Sequence, residues 1–186
     1  LLDSLGFNVV VLDKDATPLG LVEGYPDAKK YAELFRQNKD TIDGIIVSLP
    51  NFGDELGIVN TLDLAGLDVP VLIHASNDEN DKVDIFHRRD AFCGKISVCN
   101  NLYQYGIKFT NTSLHTCDIN SDIFKKDVEK FAGICRVVSG IKKARIGAIG
   151  ARPADFQTVR FSEKLFQRAG ITVIPVDLSE IIANAG

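Results

Sequence analysis

Short runs of apolar residues alternate along the chain with longer stretches in which apolar residues recur every three or four positions. The short runs are rich in β-branched residues, which is typical of buried strands. They cover residues 7–13, 42–49, 69–75, 145–149 and 171–176, with a shorter extended piece at 107–109. The longer stretches predict amphipathic helices, one beginning at Asp27 and the others covering residues 54–66, 85–105, 121–140 and 155–169.

This order of elements predicts parallel β/α units, because near-continuous apolar strands are those that a sheet buries on both faces. We therefore expect an α/β fold with right-handed crossovers. The expected architecture is a three-layer open parallel sheet with helices on both faces, as in Rossmann and flavodoxin-like folds. Residues 1–5 are expected to be the end of a helix that Gly6 terminates, with its preceding strand upstream.

In sheets of this kind, ligands bind beyond the carboxyl ends of the strands. The loop at residues 48–55 lies at such an end and contains an amide, Asn51, that can hydrogen-bond a hydroxyl. Gly53 permits a tight approach and Asp54 can cap the following helix. Two interpretations stay open for this loop, a ligand site and a simple capped turn.

A second candidate lies at residues 87–95, where His, two Arg, Asp, Cys and Lys fall within nine positions. Cys93 and Gly94 are small, so another backbone segment or a ligand can approach closely there. The alternative interpretation is the solvated start of a helix. The residues alone do not separate the two.

Common catalytic and metal-binding motifs are absent from the sequence. The four cysteines, Cys93, Cys99, Cys117 and Cys135, form no C-x-x-C pair and are expected to be reduced thiols. The histidines lack metal-ligand spacing, and no G-x-S-x-G motif is present. Residues 147–152 are rich in glycine but lack the third glycine of a dinucleotide-binding loop, so a nucleotide-binding domain is disfavoured.

Composition narrows the class of protein further. The 186 residues carry 21 Lys+Arg against 25 Asp+Glu, with 45% hydrophobic residues and a formal net charge of −4. These proportions exclude a disordered chain and give no basic excess for binding nucleic acid. No apolar run approaches the ~18 residues of a membrane span. We therefore expect neither a nucleic-acid partner nor a membrane partner, and a cytoplasmic location.

The sequence contains no methionine, although soluble chains of this length ordinarily hold several. Two interpretations stay open: the chain is a piece of a longer protein, or methionine positions are missing from the sequence as written. The isolated helix end at residues 1–5 and the unfinished element after Ser179 favour an incomplete chain.

Four stretches of the chain resemble the N-terminal region of the L-fucose/L-arabinose isomerase family, most closely its fucose isomerase-like branch. They are LPNFGDE at 49–55, RRDAFCGKISVCNNL at 88–102, TSLHT at 112–116 and IGAIGARPADFQTVRFSE at 146–163. The resemblance implies two domains. Residues 1–142 would form an N-terminal α/β domain whose first strand is missing, and residues 143–186 would begin a second α/β domain.

The resemblance also implies a metal-dependent aldose–ketose isomerase. A divalent cation, usually Mn²⁺, would hold two sugar oxygens while carboxylates move a proton between C1 and C2 through an ene-diol. The family places those catalytic and metal-binding residues in later domains, so none is expected in this chain. The isolated chain is therefore expected to be inactive and to bind no metal.

For this chain the resemblance implies sugar recognition and contacts with other subunits of a homo-oligomer, with a hexamer as one possibility. Asp90 and Cys93 best match the positions at which related arabinose isomerases contact sugar, although the residue types differ. Gly94 would give space, and Asn51 or Arg89 would orient the sugar. A second hypothesis from a different class stays open: a stand-alone sugar-binding or sensor domain on the same scaffold.

Overall fold

A computed structural model describes residues 1–185. The chain divides into two compact units, residues 1–135 and 136–186. The helices are α1 (Gly24–Gln37), α2 (Glu55–Ala65), α3 (Ala91–Gln104), α4 (Asp122–Lys142), α5 (Glu163–Arg168) and α6 (Leu178–Ala185). The strands are β1 (Ile45–Leu49), β2 (Val71–Ala75), β3 (Thr110–Asn111), β4 (Arg145–Ile149) and β5 (Thr172–Val176). Short 3₁₀ turns at Asp3–Leu5 and Pro18–Gly20 precede α1.

The first unit contains a parallel sheet in the order β1-β2-β3. Ile45 pairs with Val71 and Leu49 pairs with Ala75, so β1 and β2 are aligned over their full length. All five residues of β2 are buried, since it has a neighbour on each side. The parallel pairing is what near-continuous apolar strands predict.

Helices cover both faces of this sheet. On one face, α1, α2 and α3 pack against alternate strand residues such as Ile45 and Ile73, with Val59 and Leu102 fully buried between the layers. On the opposite face, α4 packs Phe131 and other apolar residues against β1 and β2. Helix, sheet and helix layers follow one another, so the predicted three-layer α/β fold is confirmed.

The predicted strand at residues 7–13 is wrong: the segment contains no strand. Its sequence has the apolar, β-branched character of a strand, but a strand also needs a hydrogen-bonded neighbour. Among the described residues, no strand pairs with this segment. The predicted helix end at residues 1–5 is a 3₁₀ turn that Gly6 terminates with a left-handed φ of 81°.

The third helix also differs from its prediction, because it begins at Ala91 and not at residue 85. Asp90 has a φ of 55°, in the left-handed region, so a right-handed helix cannot pass through it. Residues 76–90 instead form a loop whose tip carries the exposed side chains of Ile85 and Phe86. The extended piece predicted at residues 107–109 appears slightly later, as β3.

In the second unit, β4 and β5 pair in parallel, as their apolar runs predict. The helix predicted over residues 155–169 is confined to α5, with Ser162 as its N-cap. Arg152 donates hydrogen bonds to the carbonyls of Pro153, Ala154 and Phe156. These hydrogen bonds hold the residues before α5 in a non-helical loop. No residue from 136 to 185 is buried. The domain boundary expected near Lys142 stays a prediction.

None of the helices among residues 1–185 combines the length and the apolar character needed to cross a bilayer.

Candidate functional site

The candidate residues lie at the carboxyl ends of β1 and β2, where the loop after β1 meets the residues that precede α3. The guanidinium group of Arg89 joins the two segments, since Nη1 donates to the carbonyl of Pro50 at 3.2 Å and Nη2 donates to Glu79 at 2.8 Å. The fold therefore brings Asn51 and Arg89 to the same edge of the sheet, although 38 positions separate them in sequence.

The loop after β1 is a capped turn. Oδ1 of Asn51 accepts a hydrogen bond from the Gly53 amide at 3.1 Å. Asp54 caps α2 by accepting from the amides of Leu56 and Gly57, and its second oxygen accepts from the Gly24 amide at 2.5 Å. One carboxylate thus fixes the first turns of both α1 and α2. In the part of the chain that the structure describes, the Asn51 side-chain nitrogen has no protein partner.

The loop before α3 is organised by Asp78. Its Oδ1 accepts hydrogen bonds from the backbone amides of Arg89 at 2.7 Å and Asp90 at 3.1 Å. Glu79, the next residue, accepts from Lys82 and Arg89, and these hydrogen bonds hold its pKa below the ordinary value. Glu79 is therefore ionised at neutral pH and serves to fix the Arg89 guanidinium.

Asp90 is the residue at the N-cap position of α3, yet its side chain does not cap the helix. Its carboxylate lies 3.4 Å from Arg88 and its side chain is 29% exposed. A left-handed φ at a residue other than glycine carries strain that persists where surrounding contacts enforce it. Here the hydrogen bond from its own amide to Asp78 helps to enforce it, and the carboxylate is partly exposed.

Asp90 also governs the chemistry of Cys93. A hydrogen bond from the thiol to the Asp90 carboxylate, and the charge of that carboxylate, raise the pKa of Cys93 above its ordinary value. Cys93 is exposed, but it stays a protonated thiol at neutral pH. Because the thiolate is the reactive form, Cys93 is suited to hydrogen bonding and not to nucleophilic attack.

Gly94 allows the two segments to approach each other. A Cβ at this position would overlap the carbonyl group of Phe52. The close approach expected at Gly94 is therefore made by the backbone of the chain itself. Its assignment to sugar binding stays a prediction.

Sequence reasoning missed a fully buried cation, Lys95. It occupies the buried side of α3 together with Ala91, Val98 and Leu102. Its Nζ donates to Oγ1 of Thr112 at 2.7 Å and to the carbonyl of His115 at 2.9 Å, and burial lowers its pKa. The signal that could have found it is spacing, because Lys95 stands four residues after Ala91 and three before Val98 on the helix.

Lys95 holds the chain segment that follows β3 beside the start of α3. The imidazole of His115 packs against the ring of Phe92, with the ring centroids 4.3 Å apart, and Nε2 lies 3.3 Å from the Phe92 carbonyl. His115 is exposed. The structure thus adds a histidine to the same end of the sheet.

The histidine in β2, His74, is fully buried. Nε2 lies 3.0 Å from the Cys117 carbonyl, and Nδ1 lies 2.9 Å from Oγ of Ser48. Since a carbonyl only accepts, Nε2 carries the proton and Nδ1 accepts from the serine. Burial lowers the pKa of His74, so it is a neutral structural group and not an acid–base catalyst at pH 7.

A cavity of about 730 Å³ lies beside β1. Asn51, Asp54 and Arg89 line its polar end, and residues of β1 line its apolar part. Asp90, Cys93 and Gly94 do not line it. Of the five predicted sugar-binding residues, two therefore share this cavity and three lie at the start of α3.

The described residues do not form a metal centre. No three His, Cys, Asp or Glu side chains among them come together in a group that could hold a metal ion. The carboxylates near the site are engaged by amides or cations, as Asp78 and Glu79 illustrate. We therefore assign no metal ligand among residues 1–185.

Comparison with known proteins identifies the family to which residues 1–142 belong. No curated protein matches the chain. Residues 1–142 match the family described as the fucose/sulfoquinovose isomerase N-terminal domain. This match spans most of the chain and contains all five predicted site residues. The chain therefore belongs to the family of fucose/sulfoquinovose isomerase N-terminal domains, as its resemblance to the fucose isomerase-like branch predicts.

Proposed function

We propose that this chain is an N-terminal fragment of a metal-dependent aldose–ketose isomerase and that it contributes sugar recognition. Membership of a fucose/sulfoquinovose isomerase family supports the reaction class. The observation that carries the role of this chain is the convergence of Asn51, Arg89 and Asp90 at one end of the sheet. This convergence does not identify the catalytic residues of the full-length protein.

The chemistry of these side chains suits a sugar. Each sugar hydroxyl both donates and accepts hydrogen bonds, so its site needs groups of both kinds. The Asn51 amide nitrogen and the Arg89 guanidinium donate, and the Asp90 carboxylate accepts. The protonated Cys93 thiol adds a weak donor beside Asp90.

The proposal assigns sugar binding to this chain and assigns metal binding and proton transfer to other parts of the full-length protein. A divalent cation would polarise the sugar carbonyl as a Lewis acid, and an oxygen-rich site would suit Mn²⁺. The residues present do not fit such a group. We therefore place the metal and the proton-transferring carboxylates outside this chain, whose own residues bind and orient the sugar.

Two further parts of the proposal concern the assembly and the location of the full-length protein. We propose that the full-length protein is a homo-oligomer, a hexamer being one possibility, in which this domain contacts other subunits. The exposed side chains of Ile85 and Phe86, which lie in the loop before α3, support such a contact, because exposed apolar groups beside a site mark interaction surfaces. We also propose a cytoplasmic location.

The test is a kinetic comparison in the full-length protein, with L-fucose and sulfoquinovose as substrates and Mn²⁺ present. Asp90→Ala is expected to raise KM about tenfold, which is the loss of one charged hydrogen bond worth ~1.5 kcal/mol, with a smaller change in kcat. The matched control is Asp63→Ala, which removes an exposed carboxylate from α2. It is expected to leave both constants unchanged.

Three outcomes would count against the proposal. Unchanged KM and kcat in Asp90→Ala would remove Asp90 from the site. Turnover by the isolated chain would contradict the placement of the catalytic residues elsewhere. A reading frame that encodes no further domain, together with sugar binding by the chain, would replace the isomerase with a stand-alone sugar-binding or sensor domain.

A further inference from the structure

The loop after β3, residues 112–117, lies at the carboxyl end of the sheet. The Thr112 amide donates to the Ile73 carbonyl, and the Cys117 amide donates to the carbonyl of Ala75, the last residue of β2. Thr112 and Cys117 are buried, whereas the three residues after Thr112 are exposed. This loop is therefore anchored to β2 at both ends and exposes its middle residues.

Three buried side chains that can ionise hold the loop after β3. Nζ of Lys95 in α3 donates to the carbonyl of His115 at 2.9 Å. Asp127 in α4 accepts from the amide of Ser113 at 2.8 Å and also from its hydroxyl. Nε2 of His74 in β2 donates to the carbonyl of the last residue of the loop. Each of these three side chains is at most 8% exposed.

So many buried polar groups on one short loop need an explanation. Burying an ionisable group costs free energy, because the group loses its hydration, and apolar side chains can often fill the same space without loss of stability. A functional side chain, in contrast, has to be held within about 0.5 Å of its working position by supporting hydrogen bonds. The three buried groups therefore indicate that an exposed side chain of this loop needs a fixed position.

His115 is the exposed polar ring that this support positions. Its ring packs against the ring of Phe92, with the centroids 4.3 Å apart, and Nε2 lies 3.3 Å from the Phe92 carbonyl. Since a carbonyl only accepts, Nε2 carries the proton of the neutral ring and Nδ1 remains an acceptor. Among residues 1–185, Nδ1 has no hydrogen-bond partner.

The ring pair of Phe92 and His115 lies beside the predicted sugar-binding residues. Phe92 is 49% exposed and stands in the first turn of α3, between Asp90 and Cys93 on one side and the loop after β3 on the other. Ligand sites combine apolar and aromatic surfaces with a few polar groups that fix orientation. The ring pair supplies the aromatic surface, and Nδ1 supplies an acceptor.

We propose that His115 is a further sugar-binding residue, with Nδ1 accepting a hydrogen bond from a sugar hydroxyl and the Phe92–His115 ring pair packing against the C–H groups of the sugar. This inference rests on the proposed function. It makes Lys95 a positioning residue, because the buried amine holds the His115 backbone and does not touch the sugar.

Three substitutions at His115 in the full-length protein separate a contact with the sugar from a contact within the protein. His115→Ala removes both ring nitrogens and is expected to raise KM about tenfold, with a smaller change in kcat. His115→Asn places an acceptor near the position of Nδ1 and is expected to recover about threefold or more of this loss. His115→Gln places its polar atoms near the position of Nε2 and is expected to behave as His115→Ala does.

The matched control is Tyr103→Ala, which removes a 79% exposed ring from the last turn of α3, at the other end of that helix. It is expected to leave KM and kcat unchanged. Unchanged KM in His115→Ala would overturn the proposal. Recovery by His115→Gln and not by His115→Asn would also overturn it, because the ring would then act only through the Phe92 carbonyl.

The assignment of Lys95 is tested by combining substitutions. A positioning residue acts through the residue that it positions, so Lys95→Met is expected to raise KM in the parent and not in His115→Ala. Ser113→Ala, which removes one hydrogen bond to Asp127, repeats the comparison at an exposed position. Equal proportional increases in KM in both backgrounds would overturn the positioning role.

Asp90→Ala in the same assay distinguishes failure of this inference from failure of the proposed function. The assay uses whichever of L-fucose and sulfoquinovose the parent isomerises faster. A raised KM in Asp90→Ala with unchanged constants in His115→Ala would overturn the role of His115 alone. Unchanged constants in both variants, or a parent that isomerises neither sugar, would overturn the proposed function together with this inference.

Discussion

Strands β1 and β2 have the same length and nearly the same apolar composition, yet they differ in how far their residues are buried. Every residue of β2 is buried, whereas β1 buries only Ile45 and Leu49 and exposes Ser48. Within residues 1–185, β2 is paired on both sides and β1 on one. Burial of a strand thus depends on its two neighbours as much as on its own sequence.

The largest expected effect comes from the same truncation in the two strands. Ile73→Ala in β2 removes a fully buried side chain that packs against the helices of one face. We expect a loss of about 2–5 kcal/mol in the free energy of unfolding, as for other core truncations. Ile46→Ala in β1 removes a half-buried side chain and should cost less than half as much. Urea unfolding of both variants measures the difference.

Equal losses in the two variants would contradict this comparison, because they would show that pairing on the second side of a strand does not govern how much its residues stabilise the fold.

The same contrast explains how much of the fold could be predicted. β2 and α2 depend on local signals, an apolar run for the strand and the Asp54 cap and Gly66 stop for the helix, so the sequence was sufficient for both. Residues 7–13 have equally strong local signals, but pairing is a property of two segments. The start of α3 was misplaced for a similar reason, because the backbone of Asp90 is held by Asp78, a contact between distant positions.

The candidate site shows the same difference between residues that local sequence signals identify and residues that depend on contacts between distant positions. Arg89, Asp90 and Cys93 could be selected from sequence because they belong to the dense polar cluster at residues 87–95 and to a stretch that resembles the family, and the structure gathers them with Asn51 at one end of the sheet. Lys95 belonged to the same polar cluster in sequence but lies fully buried. Its charge obscured its helical spacing, and the acceptors that satisfy it lie on another segment.

A smaller effect is expected at Lys95, the buried residue of α3 that donates hydrogen bonds to the segment after β3. Lys95→Met keeps the length of the side chain but leaves the His115 carbonyl and the Thr112 hydroxyl without the amine, which costs about 1–3 kcal/mol. Lys126→Met, at an exposed position of α4, should stay within about 0.5 kcal/mol of the parent.

The pH dependence of stability provides a second measurement for Lys95. Burial lowers its pKa in the folded state below that of the unfolded chain. Between the two pKa values the unfolded chain binds more protons, so this group makes stability rise with pH up to the ordinary lysine pKa. The difference in stability between the parent and Lys95→Met should therefore grow over that alkaline window. A difference that stays constant with pH would mean that the amine is not desolvated.

The smallest expected effect concerns the side-chain hydrogen bond that joins β1 to β2, between Ser48 and His74. Ser48→Ala removes the donor to Nδ1 and should cost about 1 kcal/mol at pH 8. Burial is the main cause that lowers the pKa of His74. As pH falls below the ordinary histidine pKa, the unfolded chain takes up a proton before the folded chain does, so stability falls with pH.

Ser48→Ala should reduce this acid sensitivity, because the serine hydroxyl favours the neutral ring by donating to Nδ1. The free energies of unfolding of the parent and the variant should therefore approach each other as the pH is lowered from 8 to 5. Parallel curves over this range would show that the hydrogen bond does not discriminate between the two forms of His74. Curves that coincide would show, in addition, that the contact is a consequence of the register of β1 on β2 and contributes nothing to the stability of β1.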